Sequence, residues 1–226
     1  MSHFTVMVIG AEPEKQLAPF NENLEIPRYI EYTKEQLVAK VKKEIEDYKN
    51  GIYAEFLADT EKYKQECQNE AHINYLENKF PQMLKRTDEE IYQDEIEYYE
   101  SEQIGSNGEI FSTYNPKSKW DWFVLGGRWS GMIKLKEGAD GCIGRGSLVM
   151  QNKAGIDQAK KGDIDNLDEL AKFAILKDGE WFERGKMGWW GVVHNEKDEQ
   201  IWVSELNKLI QGLSDDTLIS IFDCHI

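Results

Sequence analysis

Between Thr33 and Gln103 the apolar side chains recur at helical spacing, while the residues on either side of that block carry the pattern of strands. A chain divided in this way has to interrupt a sheet with a helical insertion, since a 3.6-residue period cannot lie in a sheet without exposing half of its apolar set. Thr33-Lys-Glu-Gln36 has the form of a capping box, and Leu37, Val41, Ile45 and Tyr48 follow it on one helical face up to Asn50-Gly51. Tyr53, Phe56, Leu57, Tyr63, Cys67, Ile73, Tyr75, Leu76 and Phe80 continue the spacing as far as Pro81. Thr87-Asp-Glu-Glu90 opens a further helix through Ile91 and Tyr98. The block is acidic and rich in tyrosine, which reads as a solvated helical cover over one face of a sheet, or as a partner-binding or lid element.

On the N-terminal side, Phe4 to Ile9 predicts a strand, and Pro13, Pro19 and Pro27 then argue for extended chain. From Gly105 onward glycine, tryptophan and alternating β-formers predict strands near Trp120–Val124, Trp129–Leu135, Cys142–Met150 and Gly188–His194, with a helix near Asn166–Phe173. Ile201 to Gln211 predicts another helix, with Trp202, Leu206, Leu209 and Ile210 on one face and Gly212 as its stop, before a last strand in DTLISIFDCHI. The fold class expected is α+β: a largely antiparallel sheet with the N- and C-terminal strands adjacent, in a single domain over residues 1–226 with 33–103 as an acidic helical insertion.

Charge and composition then narrow the function. The formal charge of −15 would repel a duplex phosphate backbone, so long nucleic acid is not expected as a partner. A small anion stays open, because one pocket needs only a few Arg, Lys or backbone N–H groups. No apolar run approaches the roughly 18 residues that span a bilayer, so no membrane is expected. There is no basic start with a small-residue cleavage site, and hence no expected signal or transit peptide. Cys67, Cys142 and Cys224 are odd in number and lack metal-ligand spacing, which suits a reducing cytoplasm.

The run NPKSKWDWFVLGGRWSGMIKLK is the most unusual in the chain. Trp120 and Trp122 alternate in a predicted strand, Gly126-Gly127 suggests a tight hairpin turn, and Arg128 and Trp129 open the next strand. Tryptophans offer flat surfaces to a base, and an arginine beside two glycines can present a bidentate fork to a phosphate. Arg145 in CIGRGSL, and Trp189, Trp190 and His194 in RGKMGWWGVVH, repeat the composition and join the candidate ligand pocket. The structural alternative is an aromatic-rich hairpin whose tryptophans are core. None of the runs has the spacing of a Walker loop or dinucleotide fingerprint.

Of four histidines, His3 opens the first strand and His225 closes the last. If those strands pair antiparallel, alternation puts His3 with Thr5 and His225 with Asp223 on one face, assembling His3, Thr5, Asp223 and His225 as a catalytic patch. Two imidazoles can serve as general base and general acid near neutral pH, and a carboxylate can fix the tautomer of one of them. On a phosphodiester, one histidine would deprotonate a ribose 2′-hydroxyl or a water, the other would protonate the leaving oxygen, and Thr5 with Arg128 would stabilise the charged transition state. No cofactor or metal is expected, as no HExxH-like or Cys-x-x-Cys spacing occurs. The simpler alternative is that both histidines are ordinary strand-end residues.

His3-Phe4-Thr5 resembles the His-x-Thr element of the two-histidine phosphoesterases, although those enzymes carry the element twice and His225 is followed only by Ile226. Taken together, MSHFTVMVIG, SKWDWFVLGGRWSG and DCHI resemble blocks shared by a family of largely uncharacterised phage and bacterial proteins. That resemblance covers the ends and the middle of the chain. It implies a counter-defence role in the cytoplasm, the host's if phage-encoded, in which nucleotide immune signals such as cyclic oligonucleotides or ADP-ribose derivatives are cleaved or sequestered. Two rivals stay open at this point: a non-enzymatic sponge for the same small nucleotide, and a protein-interaction module built on the acidic helices. The sequence also leaves a homo-oligomer open.

Overall fold

A computed structural model of the chain describes residues 2–139, 142–144, 155–188 and 192–226. In chain order the strands are β1 (His3–Ile9), β2 (Tyr29–Tyr32), β3 (Ile110–Ser112), β4 (Trp122–Leu125), β5 (Cys142–Gly144), β6 (Gln158–Lys160), β7 (Ala174–Lys177), β8 (Glu180–Glu183), β9 (Lys186–Met187), β10 (Val193–His194) and β11 (Leu218–His225). The α-helices are α1 (Pro13–Leu17), α2 (Lys34–Tyr48), α3 (Ala54–Ala58), α4 (Thr60–Glu66), α5 (Glu70–Asn74), α6 (Phe80–Met83), α7 (Asp88–Ile96) and α8 (Glu199–Ile210). The chain divides into two units, one formed by Met1–Ile26 with Tyr114–Ile226 and the other by Pro27–Thr113.

The first unit is built on a seven-stranded sheet in the order β5-β6-β11-β1-β7-β8, with β4 also paired to β11. All of its pairings are antiparallel except β1 with β7. The unbroken apolar run of β1 explains its central place, since a strand covered on both faces has no polar side to present. On one face Met7, Ile9, Ile175, Ile219 and Ile221 pack beneath Trp202 and Leu206 of α8. On the other, Phe4, Val6, Val8, Leu176, Phe222 and Cys224 pack against Leu17, Phe20 and Trp120. The sheet is thus largely antiparallel with its terminal strands adjacent, as expected.

The strand β11 is long enough to take two partners along its second edge. Leu218 to Ser220 pair with β6, and Phe222 to His225 pair with β4. Between them the Asp157 carbonyl accepts the Ile221 N–H, and the Ile221 carbonyl accepts the Gly126 N–H, so the ladder continues through the junction.

Several local expectations are corrected in this unit. Gly126-Gly127 makes no hairpin turn: β4 ends at Leu125 and Gly127–Trp129 form a single 3-10 turn. The strand expected at Trp129–Leu135 is reduced to an isolated bridge of Leu135 with Ile164, and side chains hold the backbone before it. Asn166 donates to the Met132 carbonyl and accepts from the Lys134 N–H, and Asp157 takes the Gly131 N–H. Using Asn166 in this way also shortens the helix expected at Asn166–Phe173 to a turn over Leu167–Glu169. Trp120 stands outside β4, in an isolated bridge to Asn21, so it does not alternate with Trp122. Beyond Gly144 the strand expected to Met150 lies outside the described residues, as do 189–191 between β9 and β10.

In the second unit both capping boxes form: Thr33 with Gln36 opens α2 and Thr87 with Glu90 opens α7. Leu37, Val38, Ile91, Tyr92 and Ile110 make its core. The expectation of extended chain through the prolines is corrected: Pro13–Leu17 form α1 and Ala18–Phe20 a 3-10 turn, because Pro13 and Pro19 each stand in a first helical turn, where no N–H is needed, and in the second unit the chain is extended as β2, paired with β3. Pro81 lies in the first turn of α6, where a missing N–H costs nothing, and does not stop a helix there.

Candidate active site

Along the face that α8 covers, the row His3-Thr5-Met7-Ile9 of β1 is apolar at one end and polar at the other. The register pairs His3 with His225 and Thr5 with Asp223, which continues the polar end onto β11. Ser2 and Ile226 exchange both of their backbone hydrogen bonds, at 3.2 and 3.1 Å, so the next pair inward is a non-hydrogen-bonded one. Side chains stand closest at such positions. The two imidazole rings accordingly lie 5.0 Å apart, centroid to centroid, at 69° to one another.

Each ring has its own carboxylate. His3 Nδ1 lies 2.8 Å from Asp223 Oδ1, and His225 Nδ1 lies 2.6 Å from Asp121 Oδ1. An ionised carboxylate only accepts, so Nδ1 carries the hydrogen in both dyads and Nε2 is left as the position that takes up or gives away a proton. Asp223 is only 2% exposed, and its second oxygen accepts the Arg128 backbone N–H at 2.9 Å. Asp121 is about one third exposed. His225 Nε2 and Thr5 Oγ1 are both buried without a hydrogen-bond partner among the described residues, and both belong to this polar patch.

The charge balance of the patch is informative. A dyad is neutral when its imidazole is protonated and carries a single negative charge when it is not. With one ring in each state, as acid–base catalysis requires, the pair carries one negative charge. The exposed guanidinium of Arg128 makes no ion pair among the described residues and is anchored here through its backbone. Its charge has the sign that would offset the patch and admit an anion.

Two glycines let the chain reach the carboxylates. A Cβ on Gly127 would stand 2.4 Å from Asp223 Cβ, and one on Gly126 would stand 2.4 Å from Asp157 Oδ2. Both residues have positive φ, +50° and +74°. Their role is therefore close approach to buried acids, which replaces the hairpin reading.

Trp122 sits opposite His225 in the β4 register and edge-on to the His3 ring at 6.1 Å, with 45% of its surface exposed. It is the aromatic surface bordering the histidine pair. Trp129 packs half-buried against the apolar layer under α8. Trp120 is corrected from a ligand contact to a core residue: it is buried, its ring meets Phe123 at 4.8 Å, and its Nε1–H donates to the Leu17 carbonyl. His194 lies on the separate two-stranded piece formed by β9 and β10. Arg145, Trp189 and Trp190 lie outside the described residues.

Cys224, between Asp223 and His225, points into the opposite apolar layer. Burial, helped by the Asp223 charge, pushes its thiol well above the ordinary range, so it is no nucleophile at neutral pH. Two site residues escaped the sequence reading, Asp121 and Asp157. Asp121 is visible in K-W-D-W only as the residue between two tryptophans, and its pairing with His225 follows from the β4–β11 register.

Comparison with protein families, with curated proteins and with solved structures finds no match to this chain. Among the described residues, no helix is long and apolar enough to cross a membrane, and no group of three or more His, Cys, Asp or Glu could hold a metal ion.

Proposed function

We propose that this chain is a phosphodiesterase for a small nucleotide, with His3 and His225 as the general acid and base of a metal-independent reaction. The observation that carries the reading is the direct cross-strand pair of histidines, each oriented by its own carboxylate. One Nε2 takes the proton of the attacking ribose 2′-hydroxyl or water, the other protonates the leaving oxygen, and Thr5 Oγ1 and Arg128 stabilise the charge that develops on the phosphoryl oxygens. Trp122 offers its exposed face to a base. The resemblance of the MSHFTVMVIG, KWDWFVLGGRW and DCHI blocks to phage and bacterial sequences supports a cyclic or oligomeric nucleotide immune signal as substrate, met in the host cytoplasm, with counter-defence as the role.

The test is incubation of the protein with a panel of cyclic dinucleotides, cyclic trinucleotides and short oligoribonucleotides, read by chromatography in the presence of EDTA. His3→Ala and His225→Ala are each expected to cut turnover by ~10²–10⁴-fold while nucleotide binding persists. Binding with intact nucleotide recovered after heat denaturation would replace catalysis by sequestration, a reading that the exposed Trp122 and Arg128 would serve equally well. No binding to any of the panel would overturn both.

A further inference from the structure

Asp157 is wholly buried and lies outside both dyads, yet it grips the same loop that touches Asp223. Its Oδ2 accepts the Ser130 hydroxyl at 2.8 Å and its Oδ1 accepts the Gly131 N–H at 2.7 Å. Its backbone carbonyl accepts the N–H of Ile221, two residues before Asp223 on β11. The acid is therefore fixed to the strand that carries Asp223 and His225, and from there it holds the far end of the Gly126–Gly131 loop. The near end is fixed by the Gly126 N–H on the Ile221 carbonyl, and the middle by the Arg128 N–H on Asp223 Oδ2.

We propose that Asp157 is a positioning residue that acts through this loop on the His3 dyad alone. Three attachments hold six residues, and the central one is the donor that keeps Asp223 turned toward His3. Asp223 has two oxygens and uses one for each task, so its rotation about χ2 is set by whether the Arg128 amide stays in place. Releasing the Ser130–Gly131 end loosens a turn whose Gly127 has many backbone conformations open to it, and lets the Arg128 amide swing. The His225 ring is held by a different acid, Asp121, the residue before β4, which is no party to the hydrogen bonds that clamp Ser130 and Gly131 on Asp157. The geometry thus assigns asymmetric control: one dyad is held by strand pairing, the other by a loop clamped on a second buried acid. A consequence for turnover rests on the acid–base reading above. The positioning itself does not.

The experiment follows both Nδ1–H protons by low-field proton NMR of the whole protein, comparing wild type with Asp157→Ala and with Ser130→Ala. The second variant removes one hydroxyl and keeps the carboxylate, so it remains readable if the first fails to fold. The His3 Nδ1–H is expected to exchange with solvent at least tenfold faster in each folded variant, with the His225 Nδ1–H unchanged. Where turnover is measurable, kcat falls and KM stays within about twofold. Unchanged exchange at His3 in Ser130→Ala, or equal acceleration at both histidines, overturns the assignment. Neither result depends on whether the protein turns over a nucleotide, so this inference and the proposed reaction can fail separately.

Discussion

Asp121 Oδ1 and His225 Nδ1 approach to 2.6 Å across the β4–β11 pairing, although 104 positions separate them in the chain. The contact fixes the imidazole by a residue that is itself partly in solvent, so it can be altered with little cost to the fold. Asp121→Asn offers the ring a neutral amide. Its amino group would favour the tautomer with the hydrogen on Nε2, which is then the wrong atom for accepting a proton. We expect kcat to drop by ~10²-fold or more with stability changed by under about 1 kcal/mol. Steady-state kinetics beside a urea melt checks both, and an unaffected kcat would remove His225 from the mechanism.

Gly127 and Gly138 both have positive φ, but only Gly127 meets a neighbour. Gly138→Ala should cost about 1–2 kcal/mol from backbone strain alone. Gly127→Ala adds a collision with Asp223 and should cost about 2 kcal/mol more, within the range of overpacked sites. Equal losses in denaturant unfolding would mean that the loop can rise from Asp223 freely.

Trp122 is nearly half exposed beside the His3 ring, so its removal should spare the fold and weaken the ligand. Trp122→Ala is expected to lose about 1–3 kcal/mol of nucleotide binding, the usual worth of one stacked base. Trp120→Ala should do the reverse, unfolding the protein more readily by about 3–5 kcal/mol as a buried tryptophan lost from the core. Calorimetric titration and thermal unfolding of the two variants distinguish them.

Cys224 sets a slope on the alkaline side. Burial first, and the Asp223 charge second, raise its thiol in the folded state. The unfolded chain releases that proton near pH ~8.5 and the folded chain retains it, so stability is complete below that pH and falls above it by about 1.4 kcal/mol per pH unit until the folded thiol ionises. Urea unfolding from pH 8 to 10 should show a steeper decline for wild type than for Cys224→Ala. Parallel declines would count against the buried-thiol contribution.

The central pairing of β1 and β11 was legible because both runs, FTVMVI and LISIF, are apolar without alternation, and such strands need cover on both faces. Once they are neighbours, period-two alternation brings His3, Thr5, Asp223 and His225 together. Asp121 was not legible, because its role depends on β4 joining the second half of β11, a pairing that leaves no local trace. Gly126-Gly127 misled for a related reason: positive φ suits a hairpin turn and suits close passage over a buried acid equally well. Asn166 misled because its side chain can satisfy backbone groups that a strand would otherwise pair. A real hairpin turn went unread at Asp178-Gly179, where both residues have positive φ between β7 and β8.

The pairing of His3 with Asp223 spans 220 positions of sequence. Contacts of such separation are late to form, because the chain entropy of closing so long a loop has to be overcome before they return anything. β1 can pair with β7 before β11 is made, but its other edge stays open until β11 arrives, so a chain that stops short of β11 holds neither dyad. Both dyads are assembled by the docking of one strand.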